Sequence, residues 1–263
     1  MKPKNLVKLE VVSEEIGSGR IFLEANLDGH GIQCFWDSGC CKTCLSVNKF
    51  SKRYKKVGAG KLRGVSGVAA RTDKIKIGAF SLGAIARKSF WAYRCAERKA
   101  SKVTLGIDFF KKKSFAVDFK KNILDTDPPR PRRKEKLLIA PRGLLFINCR
   151  VGGKTVKALW DTGAGLNCVD RKYVNMRPRQ FKFIQSVASG QDILGNTVAM
   201  RLLEASQVLI QGAGFKNVRF LEMDLGPVSK ALGVRIPFLL GFNTITKANW
   251  YFNLKDQSWS LFA

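Results

Sequence analysis

Histidine is almost missing: the 263 residues contain one, His30. Serine–histidine–aspartate and cysteine–histidine mechanisms would all have to run through it. It sits in Leu27-Asp-Gly-His-Gly31, which reads as a solvated hairpin tip rather than a rigid site. Long apolar runs are missing as well. None approaches the ~18 residues of a membrane helix, so no membrane span is expected. Met1–Glu10 is basic at its start and has no apolar h-region, so a secretory signal is not expected. Acids are scarce, 20 against 47 Lys+Arg, for a formal charge of +27.

Cysteine is present in an odd number. The seven, at 34, 40, 41, 44, 95, 149 and 168, cannot all pair within one chain. Free buried thiols and a cytoplasmic location are the expectation. Cys40, Cys41 and Cys44 make a C-C-x-x-C cluster, but no second pair at finger spacing follows, so no metal is expected. Gly58-Ala-Gly-Lys61 lacks the spacing of a phosphate loop. No organic cofactor is implied either.

What is there is a globular composition, 45% hydrophobic, in a chain long enough for one large or two small domains. The chain repeats itself. Ile21–Gly39 aligns without a gap on Leu145–Gly163 at an offset of 124. Trp36-Asp-Ser-Gly39 meets Trp160-Asp-Thr-Gly163, and Cys44 meets Cys168. Similarity returns later at an offset of 135, where Val103–Phe110 meets Phe238–Ile245 and Phe115–Lys120 meets Trp250–Lys255. The change of 11 marks an insertion within the second half. One unit of roughly 110 residues is therefore duplicated, a usual domain size.

Residues 1–18 are set apart as an N-terminal segment, a candidate interface strand, followed by a first lobe over 19–125. The Pro- and charge-rich stretch 126–141 reads as an exposed linker. A second lobe covers 142–263. Within each unit, short strands and frequent turns predict an all-β fold. Ile21–Leu27 and Leu145–Val151 turn at Asp28-Gly29 and Gly152-Gly153 into Ile32–Trp36 and Val156–Trp160. Asp73–Ile77 with Phe80–Ile85, and Met200–Ile210 with Val218–Met223, read as hairpins around glycine turns. Single helical turns are expected at Ser46–Lys52, Asp170–Asn175, Phe109–Lys113 and Asn243–Ala248.

Each half carries one acid at the end of an apolar strand, followed by a hydroxyl residue and glycine. Phe35-Trp-Asp-Ser-Gly39 and Leu159-Trp-Asp-Thr-Gly-Ala164 resemble the active-site motifs of aspartic peptidases. Leu105-Gly106 and Leu240-Gly241 resemble the second, hydrophobic-hydrophobic-Gly motif of that family. One Asp-Thr-Gly alone is an ordinary turn; four motif instances at matched positions are specific. The small unit is most similar to retropepsins, which take one Asp from each of two subunits. The resemblance implies an acid-protease fold of two retropepsin-like β-barrel lobes related by pseudo-two-fold symmetry, acting as a single-chain monomer.

On that resemblance Asp37 and Asp161 are the catalytic dyad of an endopeptidase acting on an extended peptide or protein. Ser38 and Thr162 are implied to hydrogen-bond across the axis, with Gly39, Gly163 and Ala164 completing the turns. Two adjacent carboxyls cannot both ionise, so they share a proton and supply acid and base at one pH. Cys40 and Ala164 stand where pepsin-like enzymes often carry a hydroxyl donor, so a dyad working at milder acidity is expected. Flap hairpins are implied near Val65, Ser66 and Gly67 and near Ala188, Ser189 and Gly190. The competing reading is a catalytically silent module of the same fold that binds a peptide or nucleic acid.

Trp36 and Trp160 are expected to pack within or between the lobes. Asp108, aligned with Asn243, is expected to cap or brace the helical turn that follows it. Residues 1–125 carry 26 Lys+Arg and 11 Asp+Glu, and 126–263 carry 21 and 9, so the positive charge is spread over both halves. Such a field attracts nucleic acid or another polyanion, or steers an acidic substrate.

Overall fold

The computed structural model describes residues 5–63, 69–95, 102–191 and 197–262. At position 63 and over 187–191 and 197–199 it describes the backbone alone. The expected all-β class is observed. The helices described are short, four to seven residues for the α-helices.

Each half closes into a six-stranded barrel. In the first, the order is Gly19–Leu27, His30–Asp37, Val103–Gly106, Cys44–Ser46, Ile85–Cys95 and Ala69–Leu82, which returns to Gly19–Leu27 through Asn26↔Ser81 and Leu27↔Phe80. In the second, it is Leu145–Val151, Lys154–Trp160, Phe238–Leu240, Asn167–Asp170, Ala213–Met223 and Thr197–Ile210, closed by Arg150↔Leu209 and Val151↔Val208. Alternating burial along Gly19–Leu27 and Leu145–Val151 turns one set of side chains into each barrel. The connecting turns have positive φ at both central residues, Asp28-Gly29 and Gly152-Gly153. This matches the twist of a two-residue hairpin. His30 is exposed beside the first turn, as expected.

A further sheet joins the halves. Ser114–Asp118 of the first pairs with Asn249–Asn253 of the second, Phe115 facing Phe252. Ser258–Phe262 lies outside the latter, and Ile123–Asp125 and Leu6–Ser13 lie outside the former. Among the described residues, Leu6–Ser13 therefore pairs only with first-half strands. The turn after it is what reaches the second half, since Gly19 lies tight against the Phe242 ring. Residues 126–141 are not simply an exposed linker. Leu137 is fully buried, and Glu135–Lys136 and Leu138–Ile139 pair with Ser258–Phe262 and Leu145–Val151. Two-residue strands fit between the prolines because edge pairing needs few free N–H groups.

Gly78 does not turn the chain. Ala69–Leu82 runs straight through it, and the reversal comes at Gly83-Ala84. The Asp28 carboxylate packs against Gly78 and accepts the Ala79 N–H at 2.5 Å, so the glycine serves a close approach. The helical turns expected at 109–113 and 243–248 start earlier, at Ile107 and Phe242. The helix Gly226–Leu232, unforeseen, forms part of the second half's extra length. Proline in its first turn and Gly233 in the left-handed region end it on both sides.

The core runs through both barrels and the joining sheet. Trp36 and Trp160 are fully buried and meet edge to face, ring centroids 5.6 Å apart. Phe115 and Phe252 pack beside them as a tilted pair, and Trp250 and Trp259 stack further out. Both tryptophans thus pack between the halves. Such pairs contribute roughly 0.5–1.5 kcal/mol beyond the burial of their area.

Candidate active site

Asp37 and Asp161 end the strands that come up against this aromatic layer. In the first half, His30–Asp37 runs parallel to Val103–Gly106, with Asp37 level with Gly106. In the second, Lys154–Trp160 runs parallel to Phe238–Leu240, and the Asp161 N–H donates to the Leu240 carbonyl at 3.0 Å. Leu105, Gly106, Leu240 and Gly241 thus lie directly beside the acid turns.

The two turns grip each other. The Ser38 hydroxyl donates to the Trp160 carbonyl at 2.9 Å and accepts the Thr162 N–H at 3.0 Å. The Thr162 hydroxyl donates to the Trp36 carbonyl at 2.9 Å and accepts the Ser38 N–H at 3.0 Å. Both residues are fully buried. Each hydroxyl is saturated by main chain of the opposite half, so neither side chain has rotational freedom left.

The carboxyls meet in the same way. Asp161 Oδ1 accepts the N–H of Gly163 at 2.9 Å and that of Gly39, across the interface, at 3.1 Å. A Cβ on Gly39 would lie 2.3 Å from Asp161 Oδ2, and one on Gly163 would lie 2.3 Å from Asp37 Cγ. No side chain fits at either glycine, because the opposite acid occupies the space. Burial pushes the Asp161 carboxyl up to about 8, reinforced by the charge of Asp37 and a hydrogen bond with its side chain, against the pull of the two glycine N–H groups. The pair therefore holds a proton across mildly acidic and neutral pH, and that proton belongs to both groups.

The residues after the glycines add nothing to lower that pKa. Ala164 has no donor, and the Cys40 thiol donates away from the dyad, to the Lys42 carbonyl at 3.0 Å. The cysteine cluster divides. Cys40 and Cys44 pack with Cys95, whereas Cys41 packs against a buried apolar cluster of the second half.

A supporting layer escaped the sequence reading. The Thr43 hydroxyl accepts the Gly106 N–H at 3.1 Å and donates to Asp108 Oδ1, which also accepts the Thr43 N–H. In the second half, Asn167 Oδ1 accepts the Gly241 N–H at 2.8 Å, and Asn243 Oδ1 accepts the Asn167 N–H at 2.8 Å. Asp108 thus braces the acid loop as well as its own helical turn, where the Phe109 N–H also bonds its carboxyl; the N-cap of that turn is Gly106, without a side-chain cap. Thr43 and Asn167 align at the repeat offset of 124, the one available signal, but they share hydrogen-bonding capacity rather than residue type.

Burial raises the Asp108 carboxyl to about 6, Thr43 and Lys42 pulling the other way. The folded chain therefore holds this proton more tightly than the unfolded chain, and stability falls as pH rises from about 4 to about 6. Asp108→Asn, the residue used at 243, is expected to stabilise the protein at pH 8 by up to about 3 kcal/mol and to change little at pH 4. Melting curves at the two pH values test this. Destabilisation at both would show that the negative charge is needed.

The flap residues are only partly described. Val65, Ser66 and Gly67 lie outside the described residues. The flanking strands Lys56–Arg63 and Ala69–Leu82 pair up to Arg63↔Ala69. Ala188, Ser189 and Gly190 lie on the strand Lys182–Gln191, where the register slips between Val187 and Gly190. Pairing continues to Gln191↔Thr197.

No family model matches the chain, and no curated protein matches it. Among solved structures it is similar to conglutin gamma, described as a unique basic 7S globulin from lupine seeds. The TM-score is 0.53 at 12% identity, over 99% of this chain and 95% of that one. At that identity the two proteins share a fold.

Proposed function

We propose that the protein is an aspartic endopeptidase with two retropepsin-like lobes related by a pseudo-two-fold axis through the Asp37–Asp161 pair. The observation that carries this reading is the reciprocal bonding of Ser38 and Thr162, which holds two carboxyls against each other over a buried aromatic layer. The identical strand order of the two barrels supports the axis. Asp161 and Asp37 share one proton. The ionised member takes a proton from the attacking water, and the protonated member gives one to the carbonyl oxygen of the scissile amide. The resulting gem-diol then collapses: the protonated member gives its proton to the leaving amine nitrogen while the ionised member takes one from a diol hydroxyl, so a carboxylic acid and an amine leave and the pair regains its single proton. The strand pairs Lys56–Arg63 with Ala69–Leu82 and Lys182–Gln191 with Thr197–Ile210 belong to the flaps in this reading, closing over an extended peptide. Seven free thiols support a reducing compartment such as the cytoplasm.

A peptide bearing a statine-type secondary alcohol in place of the scissile bond tests the reading cheaply. At about 100 times its dissociation constant it is expected to stabilise the protein by about 2.7 kcal/mol, seen as a rise in Tm. The pH–rate optimum is expected well above 3, because the pair keeps its proton at mild acidity. No Tm shift, together with no cleavage across a diverse peptide library from acid to neutral pH, would favour the silent binding module.

A further inference from the structure

We propose that the outer face of the first half binds single-stranded nucleic acid, a base stacking on Trp91 and phosphates held by Lys42, Lys88 and Lys111. The strand Ile85–Cys95 is covered on one side by Cys44–Ser46 only from Tyr93 onward. Beside residues 86–91 a cleft of about 370 Å³ opens instead, bounded by Lys42, Asp108 and Lys111. Four cations and one carboxylate line it, all from the first half, and neither Asp37 nor Asp161 is among them.

The charges there are arranged for an outside anion. Arg87 spends its guanidinium on the Phe109 and Lys111 carbonyls, at 2.9 and 2.5 Å, which fixes the main chain that carries Lys111. Asp108 is turned inward to Thr43 and lies 3.9 Å from the Lys42 ammonium. Among the described residues no ion pair engages Lys74, Lys76, Lys88 or Lys111.

Trp91 is the second element. The other four tryptophans are fully buried, yet this one is 44% exposed. Lys76 stands opposite it in the sheet, and the Lys74 and Lys76 ammonium groups lie 4.2 and 5.8 Å from its ring centroid. An exposed indole ringed by cations offers a π-face for a base and charge for the phosphates on either side. An acidic peptide would use the lysines and leave the ring idle.

The repeat supplies an internal control. At the repeat offsets, Lys42 and Lys111 correspond to Leu166 and Thr246. Strand register, Tyr93 beside Cys44 and Leu221 beside Cys168, puts Arg219 at the place of Trp91. The fold thus does without this combination in the second half, and its presence in the first needs another reason.

Titration with a 12-nucleotide oligo(dT), read by intrinsic fluorescence and by anisotropy of a labelled copy, tests the assignment. Binding is expected to quench the exposed indole, and Trp91→Leu to remove the quench and weaken binding about tenfold or more. Lys88→Gln combined with Lys111→Gln is expected to lower the slope of log K against log salt by about 1.4, at ~0.7 per lost phosphate contact. Both variants alter exposed or half-exposed side chains and should melt as the parent does. Unchanged affinity in Trp91→Leu overturns the proposal, as does no binding at low salt. Equal affinity for poly-glutamate with the same dependence on Trp91 would assign the cleft to an acidic peptide and overturn it too.

Discussion

Asp37→Asn and Asp161→Asn are each expected to lower kcat for peptide hydrolysis by about 10³-fold or more, with the fold intact. A positioned acid or base typically contributes 10²–10⁴-fold, and either substitution removes one role and deranges the shared proton. The amide oxygen of asparagine at 161 can still accept the Gly39 and Gly163 N–H groups that Asp161 accepts now. Its amide nitrogen then faces Asp37 without a second negative charge nearby. Active-site substitutions of this kind often stabilise while they inactivate.

Stability should carry a second signature of the same pair. Asp161 is raised to about 8 in the folded chain and is an ordinary carboxyl, near 4, when unfolded. Between those values the folded chain holds a proton that the unfolded chain has released, so stability declines as pH rises across that window. Below about 4 both states are protonated and the decline is absent. Asp161→Asn should lack this component of the pH dependence. Parallel urea unfolding of parent and variant at pH 4 and pH 8 measures it. A variant that keeps both activity and the parental pH dependence would remove Asp161 from the reaction.

Thr162→Val is expected to produce the largest loss of stability among conservative substitutions at the interface. Valine keeps the shape, so no cavity opens. What disappears is the hydroxyl that accepts the Ser38 N–H and donates to the Trp36 carbonyl, both in fully buried surroundings. Leaving a buried polar group unpaired costs about 1–3 kcal/mol, so roughly 2–5 kcal/mol is expected for the two. Activity should fall with it, because the turns carrying the acids lose one side of their mutual grip. Thr162→Ser restores the hydroxyl and is expected to recover most of both. Chemical denaturation of the three proteins decides: a valine variant within about 0.5 kcal/mol of the parent would mean that the opposite half is held by something else.

Asp37, Ser38, Asp161 and Thr162 were legible because duplication turns a common turn sequence into a matched pair. A strand ending in Trp-Asp twice, at one offset, constrains both halves together. Thr43 and Asn167 were not legible, since hydrogen-bond geometry preserves a job while changing the residue type that does it. Gly78 misled for a related reason: a glycine needed for close approach of Asp28 looks in sequence like a glycine needed for a turn. The linker's two short strands were hidden by its prolines, which speak for extended backbone but not for what lies alongside. Trp91 was passed over because cations that gather around it, Lys42, Lys74, Lys76, Lys88 and Lys111, come from separate segments that only the barrel brings together.

The joining sheet also fixes an order of events during synthesis. Its central pair sets Ser114–Asp118 against Asn249–Asn253. At about 5–20 residues per second, the earlier strand waits on the order of ten seconds for its neighbour. During that time the first barrel stands with an open sheet edge, the kind of edge that recruits other chains or chaperones. The turn at Asp161 likewise lacks its neighbouring strand until Phe238–Leu240 has been made, so a nascent chain is without the completed acid pair until then.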